Sequence, residues 1–249
     1  MLKNVDLYSL RGRARSIGEW SRAHWISVIV GILTLFVVEQ VVVLPYHQVA
    51  MLATRNPGET AFMRERADRA KREGRQFKMV QHWLSLADIP SDVVNAIIVA
   101  EDGTFWSNHG FDWYEVRESV ERDLEEGRAA RGASTITQQL VKNLYLSPSK
   151  NPLRKLKEWI LTWWMERKLS KSRILEVYLN VIELGDGVYG IDAASWYHFG
   201  KPAELLTREE GARLAAIIPD PRDYMAASDS PYVVRRSSMI LDRMEARGY

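Results

Sequence analysis

The chain has 249 residues, 34 Lys and Arg against 32 Asp and Glu, and no cysteine. The length suits one compact domain with an appendage. The near-balanced charge gives no whole-chain reason to expect nucleic acid as a partner. The lack of cysteine excludes disulfides and thiolate metal sites.

Residues 1–24 form a basic tail, with Lys3, Arg11, Arg13, Arg15 and Arg22 against Asp6 and Glu19. Residues 25–44 then read WISVIVGILTLFVVEQVVVL. Twenty mostly aliphatic residues match the length needed to cross a hydrocarbon core of ~30 Å. Glu39 and Gln40 lie towards the C-terminal end, where a carboxylate can snorkel to the interface. The run is long for a signal peptide and no A-x-A site follows it. We therefore expect an uncleaved transmembrane anchor over 25–45, closed by Pro45. Its basic flank stays cytoplasmic, which places residues 46–249 outside.

Residues 46–80 read as a charged connector, in which ETAFMRERADRAKREGR (59–75) has the pattern of an exposed amphipathic helix. Residues 81–249 read as the globular part. Helical periodicity recurs over 91–101, 113–126, 134–145, 153–169, 171–180, 189–198, 207–218 and 231–247. Ser134 and Thr135, Ser170, and Thr207 with Glu210 supply caps. Alternating strand patterns are few, so the fold class is mainly α.

Chemistry concentrates in two places. The apolar run VVNAIIVA (93–100) ends in Glu101 and Asp102. A carboxylate at the end of a buried helix has its charge disfavoured and its pKa raised, which is how a base is tuned towards neutral pH; a structural role pairing with an arginine is the alternative. The thirty residues from Arg128 to Lys157 contain no acid and seven cations: Arg128, Arg131, Lys142, Lys150, Arg154, Lys155 and Lys157. Such a field attracts phosphates, or rests on anionic lipid headgroups. RGASTITQQLVKN (131–143) within it sets hydroxyls, amides and an ammonium at one helix start, itself an anion-binding position. Glu158 closes the run in RKLKE (154–158). It reads either as an i, i+4 partner of Arg154 or as a second active-site carboxylate facing Glu101. Paired carboxylates suggest glycosidic chemistry. One base among many cations suits an activated diphosphate donor better than hydrolysis, because the leaving diphosphate needs its charge neutralised.

EDGTF…HGFD, GASTITQQLVKN, RKLKE, KSRILEVYLN (171–180), GVYGIDAASWYHFGK (187–201) and LTREEGARLAAIIPDP (206–221) resemble, in order, the motifs of glycosyltransferase family 51, the peptidoglycan glycosyltransferases. The resemblance covers about residues 57–245. It implies a lysozyme-like glycosyltransferase domain with a smaller membrane-associated lobe, polymerising lipid II into β-1,4-linked glycan with inversion and release of undecaprenyl diphosphate. By motif position, Glu101 is the general base and Asp102 supports it. Glu158 helps to position the donor diphosphate, with a divalent cation (Mg2+ or Mn2+) as an implied cofactor. Ser134, Thr135, Gln138, Gln139, Lys142, Arg154 and Lys155 bind diphosphate and sugars, Phe105 shapes the cleft, and Asn180 supports the fold. The implied partners are lipid II, the growing strand, membrane lipids and other cell-wall synthesis proteins, at the bacterial inner membrane with the catalytic domain periplasmic. The first motif departs from the family: Asn108 stands where a His is usual, with His109 next to it. A glycan hydrolase of similar fold and a non-catalytic cell-wall scaffold are the alternative functions.

Weaker signals remain. GDGVYG (185–190) matches a dinucleotide-binding pattern but lacks a surrounding βαβ unit and reads as a tight turn. The five His have no zinc-ligand spacing. Trp159, Trp163 and Trp164 form a partial stripe expected to pack in the core, with contact to a membrane interface as the alternative.

Overall fold

A computed structural model describes residues 24–114, 117, 134–147 and 151–249. The chain divides into two units at the Leu44/Pro45 junction. The first contains helix α1 (Trp25–Val42), which buries none of its residues. Its 18 residues rise about 27 Å at ~1.5 Å each. It belongs to the one helical run, among the described residues, that is long and apolar enough to cross a bilayer.

The second unit spans Pro45–Tyr249. Its elements are α2 (Tyr46–Met51), α3 (Ala61–Arg72), β1 (Val80–Gln81), α4 (Ser91–Glu101), α5 (Ile136–Tyr145), α6 (Pro152–Lys168), α7 (Lys171–Val181), β2 (Glu183–Gly185), β3 (Val188–Tyr189), α8 (Ile191–Phe199), α9 (Arg208–Ile217) and α10 (Pro231–Ala246). The mainly α expectation holds. The helix read over 113–126 lies mostly outside the described residues. The caps fall where the hydroxyls are: Thr135, Ser170 and Thr207 each accept a backbone N–H from three residues on.

Helix α4 is the spine. Val93, Val94, Ala96, Ile97, Ile98 and Val99 are all buried, and α9 and α10 pack against it. Gly211 of α9 permits the approach, because a Cβ there would lie 2.9 Å from the Val93 Cα. The small sheet has the order β1-β3-β2, with β1 parallel and β2 antiparallel to β3. GDGVYG forms its turn: Gly187 and Gly190 take φ of 74° and 81°, which disfavours side chains there.

The 46–80 segment, read as a connector, belongs to the second unit. Arg66 pairs with Glu183 at 2.9 Å, Met63 and Ala70 are buried on the inner side of α3, and Val80–Gln81 supply a strand. Arg173 of α7 donates to the backbone oxygens of Leu52 and Arg55 and to the Asn56 side chain. High charge hid this anchoring, because the buried positions are few and the anchoring Arg66–Glu183 pair joins residues far apart in sequence.

Asn180, 1% exposed, acts as a clasp. Its Oδ1 accepts from Leu84 N at 2.8 Å and its Nδ2 donates to the oxygens of Leu84 and Glu176 at 2.9 and 2.8 Å. Asn180→Ala removes the side-chain partner of both the N–H and the oxygen of Leu84, in a part-buried setting. We expect a loss of about 2–3 kcal/mol, measured by denaturant titration of the detergent-solubilised protein, with Glu101 and its partners in place.

Candidate active site

Glu101 is the last residue of α4, and its side chain is 11% exposed. Burial pushes its carboxyl above the ordinary range. The hydrogen bond from Gln139 and the charges of Arg236 and Lys142 pull the other way. Gln139 Nε2 donates to Glu101 Oε2 at 2.9 Å. The Tyr178 hydroxyl donates to Gln139 Oε1, also at 2.9 Å. This relay settles the amide orientation, because the oxygen must accept from the phenol and the nitrogen must donate to the carboxylate. The guanidinium of Arg236, from α10, stands 3.7 Å from Glu101 Oε1.

Asp102 is buried and points away from solvent. Its Oδ2 accepts from Ile136 N at 2.9 Å and its Oδ1 from Asn108 Nδ2 at 2.8 Å. Burial raises its pKa, while the Ile136 amide and Asn108 oppose that rise. A carboxylate at the first turn of α5 also complements the helix dipole. Asp102 thus ties the end of α4 to the start of α5.

Glu158 lies on the inner side of α6, 2% exposed. Its Oε2 takes Arg154 Nη1 at 2.6 Å, and its Oε1 takes Lys155 Nζ. The i, i+4 pairing with Arg154 read from the sequence is present, and Lys155 adds a second cation to the buried carboxylate. Lys142 of α5 is within electrostatic reach of Glu158, Arg154, Lys155 and Glu101. Burial first, and the neighbouring cations after it, lower its pKa against the pull of Glu158. Glu101, Gln139, Lys142, Arg154, Lys155 and Glu158 therefore gather from α4, α5 and α6.

Other expected ligands turn inward. Phe105 is fully buried, with Lys171 Nζ 4.5 Å from its ring centroid; it packs the core under the site and does not line a cleft. Thr135 Oγ1 donates to the Gly110 oxygen at 2.8 Å and accepts from Gln138 N. Gln138 Oε1 in turn accepts from Thr135 N at 3.0 Å. These bonds engage Thr135 Oγ1 and Gln138 Oε1 in capping α5. Ser134 takes part through its backbone oxygen, which accepts from Gln139 Nε2 at 3.4 Å. Arg128, Arg131 and Lys150 lie outside the described residues. Trp159 and Trp163 are 44% and 48% exposed, so the core expectation fails for them. They occupy the outer side of α6 because Glu158, Leu161, Thr162 and Met165 take the inner side. Trp164 leans on α2, donating to the Tyr46 oxygen at 3.1 Å.

Residues 69–245 match the model of the family described as Transglycosylase. The biosynthetic peptidoglycan transglycosylase of Dechloromonas aromatica (strain RCB) is 38% identical over 92% of this chain and 97% of its own. The chain belongs to the transglycosylase family. Proteins of the same description from Nitrosospira multiformis and Acinetobacter baumannii (strain AB0057) are 41% and 44% identical, over 76% and 68% of this chain and 82% and 75% of theirs. The mainly helical, lysozyme-like fold expected of a transglycosylase holds.

In this transglycosylase, sequence reasoning missed Arg236, Tyr178, Lys171 and Glu166. Tyr178 and Lys171 lie inside KSRILEVYLN, where the helical pattern gave them no distinct chemistry. Arg236 carried no local signal.

The resident side chains do not fit a protein-held divalent cation. Both Glu158 oxygens are engaged by Arg154 and Lys155. Among the described residues, no group of three or more His, Asp or Glu converges. Among the described residues, positive charge at the site comes from Lys142, Arg154, Lys155 and Arg236.

Proposed function

We propose that this transglycosylase is a membrane-anchored peptidoglycan glycosyltransferase that joins lipid II to a lipid-linked glycan strand through a β-1,4 bond. The observation that carries this reading is Glu101: a buried carboxylate with a raised pKa, aimed by Gln139 and set beside a cluster of cations. Glu101 takes the proton from the 4-hydroxyl of the acceptor sugar. The freed oxygen forms a bond to the anomeric carbon of the donor as the bond from that carbon to the diphosphate breaks, with inversion. Lys142, Arg154 and Lys155 receive the charge that develops on the departing undecaprenyl diphosphate. Glu158 holds the latter two cations in place.

The anchor and its basic flank support an inner-membrane protein with the 45–249 unit on the periplasmic side. The exposed Trp159 and Trp163, with Arg167 stacked 4.2 Å over Trp163, suit the headgroup region, where aromatic and cationic side chains collect. Membrane lipids and other cell-wall synthesis proteins are the partners this placement offers.

The test is incubation of labelled lipid II with the purified full-length protein and separation of products by gel. A ladder of longer strands, degraded by a muramidase, is expected. Absence of polymer under conditions where a related enzyme works overturns the reading. Shortening of preformed glycan instead would make the protein a hydrolase.

A further inference from the structure

Asn108 sits at the junction of two polar chains. Its Nδ2 donates to Asp102 Oδ1 at 2.8 Å and to Thr104 Oγ1 at 3.2 Å. Its Oδ1 accepts from Lys171 Nζ and from Gly110 N, each at 3.0 Å. Lys171 also pairs with Glu166 at 2.8 Å, and Glu166 accepts from the Thr137 hydroxyl at 2.5 Å. Asp102 in turn accepts from Ile136 N. Ile136 and Thr137 are the first two residues of α5. The path from Ile136 through Asp102, Asn108, Lys171 and Glu166 to Thr137 is therefore a closed ring around the start of the helix that carries Gln139.

We propose that Asn108 is a positioning residue, the neutral connector of this ring, which holds the first turn of α5 and through Gln139 the orientation of Glu101. The inference rests on the glycosyltransferase reading only for its activity test. The position requires a donor towards a carboxylate and an acceptor towards an ammonium at the same time. A primary amide meets both demands without titrating. A neutral imidazole also meets them, with one N–H and one bare nitrogen. A protonated imidazole has two donors and no acceptor, and sets a second cation against Lys171. Asp102 and Lys171 contact the amide directly. Glu166 lies beyond Lys171. Asp112, held by Thr104 at 2.5 Å, faces Asp102, and His109 is the exposed neighbour in the chain. Asparagine in place of histidine thus makes the ring insensitive to pH across the imidazole range.

The experiment compares wild type, Asn108→Leu and Asn108→His as full-length proteins, reading kcat and KM separately on labelled lipid II from about pH 5.5 to 8.5, the range that brackets an ordinary imidazole. Asn108→Leu is expected to lose activity at every pH, by about 10-fold or more in kcat, the scale that misplacement of a reacting group brings. Asn108→His is expected to recover relative to Asn108→Leu at the alkaline end and to fall away from wild type as the pH drops. Hydrogen–deuterium exchange of the 134–147 segment gives a readout that needs no turnover. Exchange there should quicken in Asn108→Leu at all pH and in Asn108→His at the acid end only, after correction for intrinsic rates. A wild-type kcat in Asn108→Leu, or an Asn108→His to wild-type ratio that does not change with pH, overturns the proposal. Unchanged exchange at 134–147 in Asn108→Leu overturns it as well. If wild type makes no polymer, the glycosyltransferase reading fails and the exchange data alone decide the role of Asn108.

Discussion

Glu101→Gln should remove polymer formation, lowering kcat by about 10²–10⁴, the usual contribution of a positioned general base. The substitution keeps the shape of the side chain and deletes only its capacity to take a proton. It should not unfold the protein. Burial raises the Glu101 pKa, so the ionised form is the one the fold disfavours. A group of that kind weakens the folded state above its folded pKa, and the neutral amide relieves the cost at neutral pH. An unchanged or slightly higher Tm beside lost turnover separates a chemical role from a structural one. The same logic gives a pH signature. The base must be ionised, so wild-type activity falls on the acid side through a pKa above the ordinary carboxylate range. Arg236, 3.7 Å away, opposes that rise. Arg236→Met should therefore move the acid limb further towards neutral pH, and Arg236→Lys should restore most of it. An acid limb that stays in place in Arg236→Met would show that Glu101 does not sense this cation.

Much of this site could be read from neighbouring residues in sequence, and the rest could not. The apolar run ending at Glu101 announced a buried carboxylate, because eleven residues of helix carry their burial pattern locally. The hydroxyls of Thr135, Ser170 and Thr207 marked helix starts for the same reason. Arg236 escaped because its approach to Glu101 depends on α10 packing on α4, a contact between distant segments that a helical period does not reveal. Phe105 and the tryptophans of α6 failed in opposite directions. An aromatic residue beside a catalytic motif looks like a cleft wall, yet Phe105 is fully buried; an aromatic stripe on an amphipathic helix looks like core, yet Trp159 and Trp163 face outward. For the tryptophans periodicity identifies a helix side and leaves open what covers it; the Phe105 expectation came with the motif resemblance, which carries no burial pattern. On α6 the inward side goes to Glu158 because Arg154 and Lys155 go with it, and a paired carboxylate can be buried where a lone one cannot.

That pairing sets the second large effect. Glu158→Gln should lower kcat by about 10²–10³, the scale seen when a charge-stabilising element is removed from a transition state. The amide still fills the space but no longer neutralises Arg154 and Lys155, which lose the anion that fixes their geometry. Lys142 suffers too. Its pKa is lowered by burial, and the charge of Glu158 is the principal influence holding it up. Without that charge the ammonium gives up its proton at lower pH, so the alkaline limb of the activity profile should move down. The acid limb, which belongs to Glu101, should move little. Stability should fall by about 1–3 kcal/mol, less than for a fully buried pair, because the Arg154 and Lys155 side chains are 18% and 38% exposed and keep access to water. A shifted alkaline limb with a modest fall in Tm identifies Glu158 as the anion that organises the diphosphate-binding cations. A uniform loss at all pH, tracking the fall in Tm, would reduce it to a structural ion pair.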